Sequence, residues 1–162
     1  MPAKIANGNI LNSRSKYIAH QCNCVTSNSA GVAKVIFNKF PYSNVYEGRS
    51  RFSHWSDTAD KPGDITVCGN GVGERYVINM MAQIYPGAPK FPDSKSDGFD
   101  ARIKYFNKCL NKISRIDNLH SIAFPFGIGC SLAGGDWKVY HGMIDAFADY
   151  VNAKVFLVKL EK

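Results

Sequence analysis

Phe124-Pro-Phe-Gly-Ile-Gly-Cys-Ser-Leu-Ala-Gly-Gly-Asp-Trp137 is an apolar run that enters a glycine-rich loop and leaves it at the head of an amphipathic stretch. A strand, a loop of small residues and a helix N-terminus in that order make a phosphate cradle. Bare backbone N–H groups can close on phosphoryl oxygens, and the helix adds the positive end of its dipole. Asn23-Cys-Val-Thr-Ser-Asn-Ser-Ala-Gly-Val-Ala33 has a similar design between another apolar run and another helical stretch. Two such loops point to a ligand that contains a diphosphate. Singly, Gly31 or Gly134 reads equally well as a tight strand-to-helix turn with no ligand. The pairing favours binding.

Outward from these loops, strands and helices alternate. Residues 17–22, 76–83, 121–125 and 154–159 are short runs rich in β-branched or aromatic side chains, bounded by turn formers or charges, and are expected as strands of a buried sheet. Residues 31–40 carry Val32, Val35, Ile36 and Phe40, while Phe99, Ile103, Phe106, Leu110 and Ile113 step by four and three, which is helical spacing. A last helix is expected from about Asp136, its N-cap, burying Val139, Met143, Phe147 and Tyr150. Helices then cover both faces of the sheet. Two segments stand apart: 43–63, with Arg49, Arg51, His54, Trp55, Asp57 and Asp60, and 85–98, a loop by its prolines Pro86, Pro89 and Pro92. Long loops beside strand ends often close over ligands.

With 162 residues, 45% of them hydrophobic, the chain can bury one sizeable core, and a single domain over 1–162 is expected. No apolar stretch approaches the ~20 residues that cross a bilayer. The opening residues show no secretion signal, and five irregularly spaced cysteines fit reduced thiols, so the expected location is the cytoplasm. The net charge of +7 would draw an anionic substrate toward its cleft. The stripe of Lys104, Lys108, Lys112 and Arg115 reads better as a solvated helix face than as a nucleic-acid surface. No membrane and no stable nucleic-acid partner are expected, and the chain is expected to be a monomer.

The segments Ile18-Ala-His-Gln-Cys-Asn23, Ala30-Gly-Val-Ala33 and 127–137 resemble the macro domain family, whose members bind ADP-ribose. Gly8-Asn-Ile-Leu11, His20-Gln-Cys-Asn23 and Ala133-Gly-Gly-Asp-Trp137 look most like its stand-alone ADP-ribose 1″-phosphate phosphatases, and the resemblance spans nearly the whole chain. It implies a three-layer α/β/α fold with a central mixed sheet, and a cleft at the strand ends for a small-molecule ADP-ribose derivative. It also implies hydrolysis of ADP-ribose 1″-phosphate to ADP-ribose and phosphate, and a link to RNA-end processing. By the same resemblance Asn9 stands where the family has an aspartate that accepts from the adenine amino group, with Ile10 beside it; an amide oxygen can still accept there. Asn23 falls at the distal ribose, Ala30, Gly31 and Val32 on the loop beneath that sugar, and Gly129, Cys130, Ser131, Leu132, Ala133 and Gly134 on the diphosphate loop.

For chemistry the resemblance favours His20, at a strand end near the terminal phosphate, where an imidazole could protonate a leaving oxygen or orient water. A lone histidine is otherwise more often structural. Asp136 is the second candidate, as a plain N-cap or as a carboxylate that holds His20 or a water. His20, Cys22 and Cys24 share one strand face but lack a fourth ligand, so no metal is expected, and the scheme calls for no cofactor. Cys109 and Arg115 match the cysteine-x5-arginine spacing of cysteine phosphatases, yet Cys109 falls inside a helix whose amides are already bonded. Family members that remove ADP-ribose with a lysine after the central strand and an aspartate in the diphosphate loop differ here, where 78–83 has no lysine and Ala133 occupies the loop position. An ADP-ribosyl hydrolase acting on modified protein or nucleic acid through bound water, and a non-catalytic ADP-ribose reader, remain as alternatives.

Overall fold

A computed structural model describes residues 2–49 and 60–160. Six strands among them, β1 (Lys4–Asn7), β2 (Tyr17–Asn23), β3 (Ile65–Cys68), β4 (Tyr76–Gln83), β5 (Ser121–Pro125) and β6 (Lys154–Lys159), form one sheet in the order β1-β6-β5-β2-β4-β3. Every pairing is parallel except β3 with β4, so the sheet is mixed. Parallel neighbours need long crossovers, and helices supply them: α2 (Phe99–Ile113) joins β4 to β5, and α3 (Trp137–Tyr150) joins β5 to β6. α1 (Gly31–Lys39) follows β2 on the opposite face.

Alternation along β2 sorts the two cores. Tyr17 and Ala19 face α2 and α3 with Ile78, Met80, Phe106, Ile122 and Ile144, whereas Ile18 and Cys22 face α1 with Val77, Met81, Ile36 and Phe37. The central strands are buried on both sides, which is why they read as continuous apolar runs. The expected three layers are present. No helix among the described residues is long and apolar enough to cross a membrane.

Two helices present a different face from the one their spacing suggested. α3 buries Tyr140, Ile144, Phe147 and Ala148, while Val139 and Tyr150 are exposed. Apolar residues occupy two adjacent stripes of this helix, and the stripe carrying Tyr140 wins because that ring packs edge-on to Phe106 and lies beneath Gly129. α1 buries Ala33, Ile36 and Phe37 and leaves Val32 and Val35 exposed. On α2, Lys104 and Lys108 are exposed as on a solvated face, and Lys112 pairs with Asp64.

The two loop segments are tied down by polar contacts. Tyr46 is buried and accepts a hydrogen bond from the Asn23 amide at 2.8 Å, and Arg49 lies 4.5 Å over its ring while pairing with Asp60. Arg51, His54, Trp55 and Asp57 lie outside the described residues. In the proline loop, buried Arg102 bonds Asp97 at 2.7 Å and donates to the carbonyls of Gly87 at 2.6 Å and Tyr85 at 3.1 Å. Asp97 in turn accepts from the amides of Ile84 and Tyr85.

Candidate functional site

Parallel strands aim their carboxyl ends at one edge of the sheet, and helix N-termini follow them there, so ligands of such folds gather at that edge. Here the ends of β2, β4 and β5 open into a cleft of about 260 Å³. Asn23 and Gln21 come from β2, Ala30 to Ala33 from the start of α1, Pro86 and Gly87 from the proline loop, and residues 125–133 from the loop after β5. Of the expected binding residues, Asn23, Ala30, Gly31, Val32, Gly129, Cys130, Ser131, Leu132 and Ala133 all line it. Gly134 is the next residue along the same loop, where its φ of +74° makes the turn out toward α3.

Unengaged amides dominate the chemistry of this cleft. The first turn of α1 has no side-chain cap at Ala30, and its first internal bond runs from the Lys34 amide. The N–H groups of Gly31, Val32 and Ala33 are therefore left over, as at any helix start. Across the cleft, the 127–135 loop closes on itself through Cys130 N–H to Gly127 (3.0 Å), Gly134 N–H to Ser131 (3.3 Å) and Gly135 N–H to Gly129 (3.0 Å). The amides of Gly129, Ser131, Leu132 and Ala133 have no acceptor among the described residues. The Leu132 side chain reaches the start of α1: a Cβ on Gly31, whose φ is +57°, would stand 2.9 Å from Leu132 Cδ1. Two sets of unengaged donors lining one cleft are suited to phosphoryl oxygens.

Asn9 and Ile10 lie elsewhere. Asn9 uses its side-chain oxygen to accept from the Leu11 amide at 3.0 Å, capping a short 3-10 turn, and borders a separate hollow of about 610 Å³ with Arg14, His120 and Lys154. Ile10 packs against the α1 core. The structure does not bring either residue into the lining of the cleft.

His20 borders the cleft floor but is 0% exposed. Asn79 donates through its amide nitrogen to Ser43 O and Thr66 Oγ1, both at 3.0 Å, so its oxygen faces His20 Nε2 at 2.6 Å and the ring nitrogen is the donor. Burial lowers the imidazole pKa to about 4, against the opposing pull of the Asn79 bond. The ring is neutral at pH 7. Asp136 is exposed and caps α3, accepting from the Lys138 amide at 3.0 Å. His20 and Asp136 thus have separate partners and no bond joins them.

A pH prediction follows from the buried imidazole. Its folded pKa lies below the ordinary value of 6.5, so the unfolded chain takes up a proton first as pH falls. Stability is full above about pH 6.5 and declines toward pH 4, by roughly 3 kcal/mol over that window on the linkage relation. Urea unfolding between pH 7 and 4.5 should show the decline, and His20→Gln, which keeps a donor toward Asn79, should flatten it. A variant slope equal to that of the wild type would place the titration elsewhere.

The thiols are inert. Cys109 lies inside α2, donates to Asp64 O at 3.5 Å and has its pKa pushed up by burial to about 12. Cys130, on the phosphate-type loop, is raised to about 11, by burial first and Asp136 second. Neither forms a thiolate at neutral pH, which removes them as nucleophiles. Sequence reasoning missed Gln21, Gln83 and Tyr46, all of which line the cleft. Gln83, a polar residue at the end of a largely apolar strand, was the available signal.

No protein-family model matches the sequence. An uncharacterised 17.5 kDa protein of Enterobacteria phage T4, from its tk-vs intergenic region, is 28% identical over 152 residues, 91% of each chain. The macrodomain of Thermus aquaticus DarG superposes with a TM-score of 0.71 at 21% identity, covering 97% of both chains. The Trypanosoma brucei macrodomain in complex with ADP-ribose gives a TM-score of 0.62 at 13% identity, over 98% of this chain and 64% of that one. With its mixed six-stranded sheet between α1 on one side and α2 and α3 on the other, the chain has the macrodomain fold.

Proposed function

We propose that the cleft binds ADP-ribose and that the protein hydrolyses ADP-ribose 1″-phosphate to ADP-ribose and inorganic phosphate. The observation that carries this reading is two sets of unengaged amides on one cleft, Gly31 to Ala33 on α1 and Gly129, Ser131, Leu132 and Ala133 on the loop, which together suit a diphosphate. The T. brucei macrodomain of the same fold was solved with ADP-ribose. Asn23 supports a sugar beside the diphosphate: its oxygen accepts from the amides of Val25 and Thr26, leaving its NH2 as a donor on the cleft wall.

Hydrolysis in this scheme is attack by water on the terminal phosphorus. The bond from phosphorus to the anomeric oxygen breaks, that oxygen leaves with the electron pair, and the proton of the attacking water ends on phosphate or sugar. An anomeric hydroxyl is more acidic than an ordinary alcohol, so its oxygen leaves with less help from an acid. This suits a site whose nearby histidine, with a pKa lowered to about 4, is neutral at pH 7 and gives its remaining N–H to Asn79. His20 then serves as the floor, Asp136 serves as the helix cap, and catalysis comes from positioning and amide donors. Positioning alone can supply part of about 7–11 kcal/mol.

Titration calorimetry with ADP-ribose should saturate at micromolar to low-millimolar ligand, and phosphate should be released from the 1″-phosphate but not from a simple sugar phosphate. Absence of binding at millimolar ADP-ribose would end the proposal. Binding without phosphate release leaves the reader alternative, and release of ADP-ribose from modified protein or nucleic acid, assayed side by side, would replace the phosphatase with an ADP-ribosyl hydrolase.

A further inference from the structure

The connection from β1 to β2 contains only a short 3-10 turn, so it covers less of the sheet than a helix would. Gly8 N–H bonds Lys159 O at 2.9 Å at the carboxyl end of β6, and Lys16 N–H bonds Ser121 Oγ at 2.7 Å at the amino end of β5. Residues 8–16 thus cross the sheet on its α1 side, and Ile10 and Leu11 pack there with Phe156 and Val158. Beside this strap the hollow of about 610 Å³ opens over a floor of Ala6, Phe156 and Val158. It shares no lining residue with the cleft. A hollow of this size with an apolar floor and a few polar groups has the ordinary form of a small-molecule site.

The amino ends of β5 and β6 give this hollow a basic end. Ser121 pairs with Lys154, Lys154 N–H bonds the His120 carbonyl at 2.9 Å, and Arg14 lies two residues before the amide that bonds Ser121. Arg14, His120 and Lys154 are thereby gathered around one serine, and all three are exposed and line the hollow. Neither Arg14 nor Lys154 has an ion pair among the described residues, and no described aspartate or glutamate lines the hollow. Like charges gathered without an acid repel one another, and a bound anion relieves that repulsion. Ser121 is 7% exposed, its oxygen takes the Lys16 amide, and its hydroxyl proton has no acceptor among the described residues. An unspent donor that deep asks for an explanation. We propose that the hollow is a second ligand site that takes a nucleotide through a phosphate monoester, the phosphoryl group among Arg14, His120, Lys154 and the Ser121 hydroxyl and the base on the Phe156 floor. A sugar phosphate would lay its hydroxyls unpaired on that floor, whereas a base presents a flat apolar face to it. Asn7 and Asn12, whose side chains have no bond among the described residues, supply donors and acceptors for the edge of the base.

The test is an amide NMR titration of the full chain with AMP, GMP, CMP and UMP in turn, which reports where a ligand sits as well as how tightly. At least one of them should move the amides of Ser121 and Phe156 saturably at micromolar to low-millimolar ligand. Inorganic phosphate should move Ser121 without Phe156, and the matching nucleoside should bind at least about tenfold more weakly, the worth of one charge-assisted hydrogen bond. The double variant Arg14→Ala/Lys154→Ala changes two exposed side chains, so it should fold, and it should lose about tenfold or more toward the nucleotide. A 5′-phosphorylated oligonucleotide tells the source: tighter binding than its mononucleotide supports the end of a strand, and equal binding supports a free nucleotide. No movement at Ser121 and Phe156 with any of the nucleotides at millimolar concentration would overturn the proposal. So would shifts confined to Gly31 and Gly129, which place the ligand in the cleft, or an undiminished affinity in the double variant. Failure of ADP-ribose to bind would remove the proposed function and leave this site standing.

Discussion

Replacing Arg102 with alanine should lower stability by about 3–5 kcal/mol in urea titration, because breaking a buried ion pair leaves an uncompensated charge inside the fold. Arg102 is 2% exposed, and Asp97, its partner, is nearly as buried. Asp97 would keep the amides of Ile84 and Tyr85, which soften but do not replace the lost guanidinium. Gly87 and Tyr85 would keep only Gln83 as a donor. The wall of the cleft should therefore loosen along with the fold, and ADP-ribose affinity should drop in the same variant. Asp97→Asn, which retains an acceptor and removes the charge, should be milder in both measurements. A loss below 1 kcal/mol for Arg102→Ala would mean that the proline loop is held by its apolar contacts and the ion pair contributes little.

The same contact shows where sequence reading stops. Proline content marked 85–98 as a loop, but nothing in the spacing of Asp97 and Arg102 distinguishes a buried clasp from two surface charges, since the partners of that clasp are backbone carbonyls with no sequence signature. Strands β4 and β5 were legible because strands buried on both faces are largely apolar runs, and β2 and β6 by their β-branched and aromatic residues; three of the four have the observed limits: Tyr76–Gln83, Ser121–Pro125 and Lys154–Lys159. The edge strands β1 and β3 were not, because four residues that are partly or fully exposed, Lys4–Asn7 and Ile65–Cys68, carry too little pattern. Helix existence was legible for α1, α2 and α3, and the buried face of α3 was not, because two apolar stripes compete until Tyr140 meets Phe106. The glycine loops located most of the cleft. The resemblance favoured His20 as an acid or a group that orients water, and neither the burial that lowers its pKa to about 4 nor its bond to Asn79 has a sequence signature.

Gly129→Ala should be the most damaging small change to the cleft, lowering stability by about 2–5 kcal/mol and ADP-ribose affinity by tenfold or more. Two separate penalties act there. The backbone at Gly129 has a φ of +81°, a left-handed conformation in which a Cβ costs about 1–2 kcal/mol. The added carbon would also stand 2.6 Å from the Tyr140 ring and 3.1 Å from Gln21 Oε1, and overpacking of this kind typically costs about 1–3 kcal/mol. Tyr140 is 3% exposed and wedged against Phe106, so it can yield only by disturbing α3 against α2. Gly127 is the control: its φ is +83°, but a Cβ there meets nothing within 4 Å. Gly127→Ala should pay the conformational penalty alone, with a melting-temperature loss well below that of Gly129→Ala and a smaller effect on ADP-ribose binding. Equal losses for the two variants would show that backbone strain alone shapes the loop and that close packing on Tyr140 is irrelevant. The expected inequality would show instead that the free amides of Ser131, Leu132 and Ala133 are held in place by a glycine pressed onto an aromatic floor.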